Sequence, residues 1–139
     1  MIILDTNVVS ELMRPAPAAG VVRWAASQPA HSLYTTSITQ AEILHGILLL
    51  PAGRRRRALE QAAHAMFAED FADRILAFGS EAAGPYARIA AERRKAGRPI
   101  SQFDAQIAAI ARARGARVAT RNVSDYEGCG IDMIDPWAE

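Results

Sequence analysis

The sequence predicts an α/β domain: a three-layer sandwich with a mostly parallel, twisted sheet of four to five strands between helices. Three observations carry that expectation. Short apolar or β-branched runs alternate with longer segments of helical periodicity. The helical segments end at glycine or proline. The 139 residues suit one domain with a core of its own.

The first element is Ile2–Leu4, an apolar run that ends at Asp5 and reads as a buried strand. Val8–Met13 is a brief predicted helix, stopped by the Pro15 and Pro17 segment. Ala18–Ser27 places Val21, Val22 and Ala25 at helical spacing, with Pro29 beyond its end. Ser32–Thr35 is a predicted second strand. From Ile38 the positions Ala41, Leu44, Ile47 and Leu48 repeat at helical spacing as far as Pro51. Arg54–Phe67 is a further helix, expected to turn Ala58, Leu59, Ala62 and Met66 inward. Ile75–Phe78 reads as a third strand. Ser80–Lys95 is a helix closed by Gly97 and Pro99. Phe103–Arg114 is the clearest helix, with Ile107, Ala108, Ile110 and Ala111 inward and Gly115 just past its end. Val118–Thr120 is a fourth strand, and Met133–Ile134 adds a short fifth. No repeat or internal linker interrupts the order, so residues 1–139 are expected to form one domain.

Half of the residues are apolar and 22% are charged, an ordinary globular composition. The single Cys129 excludes an internal disulfide and a thiolate metal site; between Gly128 and Gly130 it reads as a small turn residue. Ile2–Leu4 is too short for a secretory core. The apolar stretch Ile43–Leu50 is broken by His45 and Gly46 and too short to span a bilayer. A cytoplasmic location without membrane contact is therefore expected.

The net charge of +1 decides nothing about nucleic acid, but its distribution is informative. Lys95 is the only lysine among 16 basic residues, and two clusters stand out: Arg54–Arg57, and Arg93, Arg94, Lys95 with Arg98. Arginine forks match phosphate geometry. A solvated helix face is the alternative reading of each cluster.

In an open parallel sheet, ligands bind beyond the carboxyl ends of the strands. Asp5 follows the first strand, and Asn122 and Asp125 follow the fourth. Glu42 and Asp104 fall in the first turn or two of a helix, at the same rim when the preceding connection is short. Each acid also has a local reading. Asp5 suits a helix cap, and Asp125 suits a turn. Thr39-x-x-Glu42 and Ser101-x-x-Asp104 fit a loose capping box. Taken together, carboxylates converging on one unpaired site repel one another unless a cation is present. Mg²⁺ and Mn²⁺ suit an all-oxygen site. A divalent ion lowers the pKa of bound water and draws charge from a phosphoryl oxygen. Acids with phosphate-seeking arginines point to phosphodiester hydrolysis.

The motifs also carry a resemblance. Ile3-Leu4-Asp5-Thr6-Asn7-Val8-Val9-Ser10-Glu11 resembles the opening of PIN-domain toxins of the VapC and FitB type. Thr36-Ser37-Ile38-Thr39-Gln40-Ala41-Glu42-Ile43 is similar to their second segment, and Asp104-Ala105-Gln106-Ile107-Ala108-Ala109-Ile110-Ala111 to their third. Ala119-Thr120-Arg121-Asn122-Val123-Ser124-Asp125-Tyr126 is similar to the fourth, and Ile134-Asp135-Pro136-Trp137 to the tail. The resemblance covers essentially the whole chain.

The resemblance implies a PIN fold and a Mg²⁺- or Mn²⁺-dependent endoribonuclease, the toxin of a bacterial type II toxin–antitoxin pair. It makes Asp5 and Asp104 the direct metal ligands, with Glu42 completing the site directly or through water. Thr6 would support the site through its hydroxyl. Some relatives place an acid where Asn122 stands, others a few residues on, so Asn122 and Asp125 share the fourth position. The implied reaction is in-line attack of water on an RNA phosphodiester, leaving a 5′-phosphate and a 3′-hydroxyl. Arg54, Arg55, Arg93 and Arg94 are candidate contacts to the RNA backbone. Partners implied are the RNA substrate, a cognate antitoxin whose tail covers the acidic pocket, and a second copy in a homodimer.

Two alternatives differ in class. A catalytically inactive PIN-type module would bind RNA or protein, a reading kept open by Asn122. An Asp-nucleophile phosphatase needs a second Asp where Asn7 stands and a later lysine, and the only lysine, Lys95, lies in a basic run. A phosphorelay receiver domain fails for similar reasons. The three histidines suggest no catalytic pair: His45 is expected to pack on its helix, and His31 and His64 to lie at the surface. Trp24 and Trp137 are expected to fill core or interface space.

Overall fold

The computed structural model describes residues 1–139. In chain order the elements are β1 (Ile2–Leu4), α1 (Thr6–Met13), α2 (Ala19–Ser27), β2 (Leu33–Thr36), α3 (Ser37–Leu48), α4 (Arg54–Ala65), β3 (Ile75–Leu76), α5 (Ser80–Lys95), α6 (Gln102–Arg114), β4 (Arg117–Ala119) and β5 (Met133–Ile134). A π-helical turn, Met66–Asp70, extends α4. Short 3-10 turns occupy Ala30–Ser32 and Val123–Tyr126. Every predicted element is present, with ends shifted by a residue or two where capping decides them.

The five strands form one sheet in the order β3-β2-β1-β4-β5, and every pairing is parallel. Parallel sheets carry helices on both faces, so their inner strands read as continuous apolar runs. Side chains alternate across β1. Ile3 faces a core built with α5 and α6, including Ile89, Ile107, Ile110 and Val118. Ile2 and Leu4 face the other core, with Val8, Val9, Val21, Trp24, Ile43, Ile47 and Phe67. Each fully buried side chain of this size contributes roughly 1.5–3 kcal/mol of transfer free energy.

Two predicted helix faces are corrected. In α3 the buried positions are Thr39, Ile43 and Ile47, whereas Ala41 is exposed and Leu48 is 54% exposed. In α4 and its extension, Ala63 and Phe67 are buried and Ala58 and Ala62 face solvent. Alanine gains too little from burial to set a helix's rotation; Ile43, Ile47 and Phe67 set it here. In α6, Ile107 to Ala111 are all buried, because this helix lies between the sheet and α5. Gly115 ends it in the left-handed conformation, φ 64°. Trp24 is buried, Trp137 packs half-buried on the same core, and Cys129 is buried between Gly128 and Gly130. His31 and His64 lie at the surface. His45 is also exposed, so the expected packing role is absent. No helix is long and apolar enough to cross a membrane.

Strand order places the site. From β1 the chain builds outward through β2 to β3, then returns to the other side of β1 for β4 and β5. After β1 it enters α1, whose Val8 and Val9 join one core; after β4 it enters the turn whose Tyr126 joins the other. The two exits diverge to opposite faces. A crevice opens between them at the carboxyl ends of adjacent strands.

Candidate active site

Asp5, Thr6, Asn7, Glu42, Asp104, Asn122 and Asp125 line one cavity of about 260 Å³ at that crevice. All five residues expected to act in catalysis are therefore brought together, and no apolar or basic side chain contributes to the lining. A larger cavity, about 420 Å³, lies among Arg23, Trp24, Gln28, Arg117 and Glu139 and shares none of these residues.

Asp5 is delivered by the end of β1, where its backbone N–H donates to Ala119 O at 2.9 Å. Its side chain is nearly fully buried. Oδ1 accepts the Thr6 N–H at 2.8 Å, so Asp5 caps α1 and faces the cavity at once. Oδ2 accepts from the Thr120 hydroxyl at 2.9 Å and from Asn7 Nδ2 at 3.4 Å. Burial pushes the Asp5 carboxyl up from its ordinary value. Hydrogen bonds from Thr120 and the Thr6 N–H oppose that shift, and the Asp104 charge reinforces it.

Glu42 projects from the second turn of α3. The capping box expected at Thr39 is absent. Thr36 caps the helix instead, its Oγ1 accepting the Thr39 N–H at 3.1 Å. The Glu42 side chain is thereby free to turn to α1, where Oε1 accepts the Thr6 hydroxyl proton at 2.9 Å. The Thr39 hydroxyl lies 3.0 Å from the same Thr6 oxygen. Burial pushes the Glu42 carboxyl up, the Thr6 hydrogen bond lowers it, and the charges of Asp5 and Asp104 raise it further.

Asp104 sits in the first turn of α6, and its backbone N–H donates to the capping Ser101 hydroxyl at 3.2 Å. Oδ1 accepts from the Tyr126 phenol at 3.3 Å. Tyr126 is fully buried, and burial, followed by the charges of Asp5 and Asp104, pushes its phenol far up, so it remains a proton donor. Asn122 and Asp125 flank the cavity from the turn after β4, with the Asn122 N–H donating to Thr120 Oγ1 at 3.1 Å. Both candidates for the fourth position thus reach one place.

The sequence reading missed three supporting residues. Thr120, fully buried, joins Asp5, Asn7 and Asn122 through one hydroxyl. Asn7 holds Asp5 and, through Oδ1, accepts the Arg121 N–H at 3.2 Å. Tyr126 supports Asp104. All three lie inside the quoted motifs, so position was a signal even though side-chain direction was not.

Arg93 is a correction. It is only 8% exposed, and its guanidinium donates to the carbonyls of Arg98, Asp125 and Glu127 at 2.7, 2.8 and 3.1 Å. It is a clamp behind the turn, buried and spent on backbone carbonyls, rather than an exposed contact for RNA. Arg54, Arg55 and Arg94 are exposed.

No group of three or more His, Cys, Asp or Glu side chains is arranged to hold one metal ion directly. The donor set fits Mg²⁺ or Mn²⁺ nonetheless, because such ions take one or two carboxylates and keep several waters. Four carboxylates and two amides, without imidazole or sulfur ligands, match that chemistry.

Comparison with known proteins agrees with this geometry. Residues 2–124 match the PIN domain family. The chain is 42% identical over 137 residues to the plasmid stability protein StbB of Pseudomonas syringae pv. tomato, covering 99% of each chain. It is 39% identical to the VapC ribonuclease Y4jK of Sinorhizobium fredii, covering 99% of this chain and 98% of the relative. The crystal structure of FitAcB from Neisseria gonorrhoeae superposes with a TM-score of 0.93 at 35% identity, covering 100% of both chains. The chain belongs to the PIN-domain family, among the toxins of the VapC and FitB type.

Proposed function

We propose that this protein is an endoribonuclease, dependent on Mg²⁺ or Mn²⁺, that acts as the toxin of a type II toxin–antitoxin pair. The observation that carries the reading is the meeting of Asp5, Glu42, Asp104, Asn122 and Asp125 in one cavity free of cationic side chains. Likeness over nearly the whole chain to a VapC ribonuclease supports the substrate class, and likeness to toxin FitB supports the toxin role.

Asp5 and Asp104 would hold the ion, with Glu42 and the Asn122–Asp125 turn completing the shell through water. When bound, the ion supplies an acidified water and neutralises charge on the phosphoryl group. The protein's own groups set positions. Thr6 and Thr39 aim Glu42 across the cavity, where its carboxylate can orient a water and take its proton. Thr120 and Asn7 keep Asp5 fixed. Attack of that water at phosphorus breaks the bond to the 3′ oxygen, which leaves and takes up a proton from solvent, giving a 5′-phosphate and a 3′-hydroxyl.

A groove of about 330 Å³ shares Thr6 and Glu42 with the cavity. It runs between α1, α3 and α4 over Met13, Ile43, Ile47 and Leu59, with Arg14 and Arg55 on its wall. It is the proposed seat of the antitoxin tail, which would cover the acids; a homodimer is part of the same reading. Cleavage of RNA in Mn²⁺, its loss in chelator, and its absence in Asp5→Asn and Asp104→Asn proteins that keep their fold are the expected results. Full activity in either variant, or in excess chelator, overturns the proposal. An inactive PIN-type binding module would retain RNA without cutting it under any metal.

A further inference from the structure

Tyr126 is a buried group that bonds Asp104 but has no part in the reaction as proposed above. It has no exposed surface, and its ring belongs to the core beneath the sheet, with Ile107 and Val118. A buried phenol usually finds a hydrogen-bond partner. Here the partner is Asp104 Oδ1, across 22 positions of sequence, and Asp104 itself faces the cavity. No ion pair reaches Asp5 or Asp104.

Asp5 is fixed by Thr6, Thr120 and Asn7, whereas the Asp104 side chain accepts a hydrogen bond from Tyr126 alone. Near the start of α6 its carboxylate is otherwise free to rotate about its terminal bond. The ring cannot drift: it is packed in the core, and the turn that carries it is pinned from behind by Arg93. We infer that Tyr126 is a positioning residue, whose hydroxyl holds one oxygen of Asp104 and orients that carboxylate toward Asp5 before a divalent cation arrives. This inference rests on the metal-dependent reading proposed above. Its physical content is preorganisation: a group that holds a ligand spares the cation the cost of ordering it, and loss of such partners typically weakens metal binding or activity about 10–100-fold.

Tyr126→Phe tests it, because the change removes one oxygen and leaves the packed ring. Two readouts are needed: Mn²⁺ binding followed by the electron paramagnetic resonance of the free ion, and cleavage of a short RNA across a Mn²⁺ series. The expected result is Mn²⁺ affinity reduced about 10-fold, an unchanged KM for RNA, and a cleavage rate largely restored by saturating Mn²⁺. Restoration by metal separates positioning from a packing defect, which excess Mn²⁺ does not repair. If Tyr126→Phe binds Mn²⁺ as tightly as the parent protein, this inference fails while the nuclease reading stands. If neither protein binds Mn²⁺, both fail. Should Tyr126→Phe be unstable, Phe78→Leu serves as a packing control: it loosens the same core while leaving the Tyr126–Asp104 hydrogen bond in place, and is expected to leave Mn²⁺ affinity unchanged. A tenfold loss in that control as well would overturn the assignment.

Discussion

The Thr6 hydroxyl donates to Glu42 Oε1 at 2.9 Å, joining the first turn of α1 to the second turn of α3 across 36 positions of sequence. That single bond decides where Glu42 points, since its own helix is capped by Thr36 and asks nothing of it. Replacing Thr6 by Val keeps the shape and removes the donor. Cleavage is expected to fall about 10-fold at saturating Mn²⁺, with Thr6→Ser retaining most of the activity. Helix α1 should persist in both, because Asp5 caps it through the Thr6 backbone N–H. Equal kcat for Thr6→Val and the parent protein would remove Thr6 from the machinery.

The raised carboxyls of Asp5 and Glu42 make stability depend on pH when no metal is bound. The folded chain keeps these protons to higher pH than the unfolded chain does. Their contribution is therefore full in acid, below the unfolded values near 3.8 and 4.5, and is lost as pH rises through the raised folded values. Glu11 acts oppositely. The Ala18 N–H, donating at 2.9 Å, lowers its carboxyl, so its contribution is present at neutral pH and lost in acid. Glu42→Gln isolates the first effect. In chelator, the variant's Tm is expected to overtake that of the parent as pH rises from acid to neutral, and added Mn²⁺ should reverse the order. A Tm difference independent of pH would show that Glu42 carries no charge strain.

Arg93 is expected to matter for stability and not for RNA. Arg93→Met leaves the carbonyls of Arg98, Asp125 and Glu127 without their donor, which costs roughly 2–4 kcal/mol. Its exposed neighbour supplies the control. Arg94→Ala should change stability by no more than about 0.5 kcal/mol. Urea unfolding of the two variants checks both values, and equal midpoints would refute the clamp.

These residues also show how far the sequence can be read. Asp5, Glu42 and Asp104 were legible because strand ends and helix starts in a parallel α/β sheet share one rim, so sequence position alone locates them. The triple run Ile2–Leu4 and the long apolar face of α6 were legible because both are buried almost all round. Arg93 was not, since a guanidinium looks the same in sequence whether it meets water or three carbonyls. Tyr126 was not, because its role depends on α6 and the turn after β4 meeting in space. The inward faces of α3 and α4 were misread at Ala41, Ala58 and Ala62, where a methyl group carries too little hydrophobic bias to mark a side.

The arginines of α4 are the proposed contacts for RNA, and they are not equivalent. Arg56 is tied down, its Nη1 donating to Leu50 O at 3.4 Å and its Nε lying 3.6 Å from Glu60. Arg55 instead lines the groove that opens into the acid cavity, on the wall shared with Arg14. A phosphate seated along that groove would meet Arg55 first and displace counterions as it did so. Each phosphate neutralised on single-stranded RNA contributes about 0.7 to the slope of log K against log salt. Arg55→Ala is therefore expected to lower that slope by about 0.7 and to weaken binding of unrelated RNA sequences alike. Arg56→Ala should leave the slope unchanged. Filter binding of a noncleavable RNA by the full-length protein, from low to moderate salt, measures both. Equal slopes for Arg55→Ala and the parent protein would take the groove out of the RNA path and leave it to the antitoxin alone.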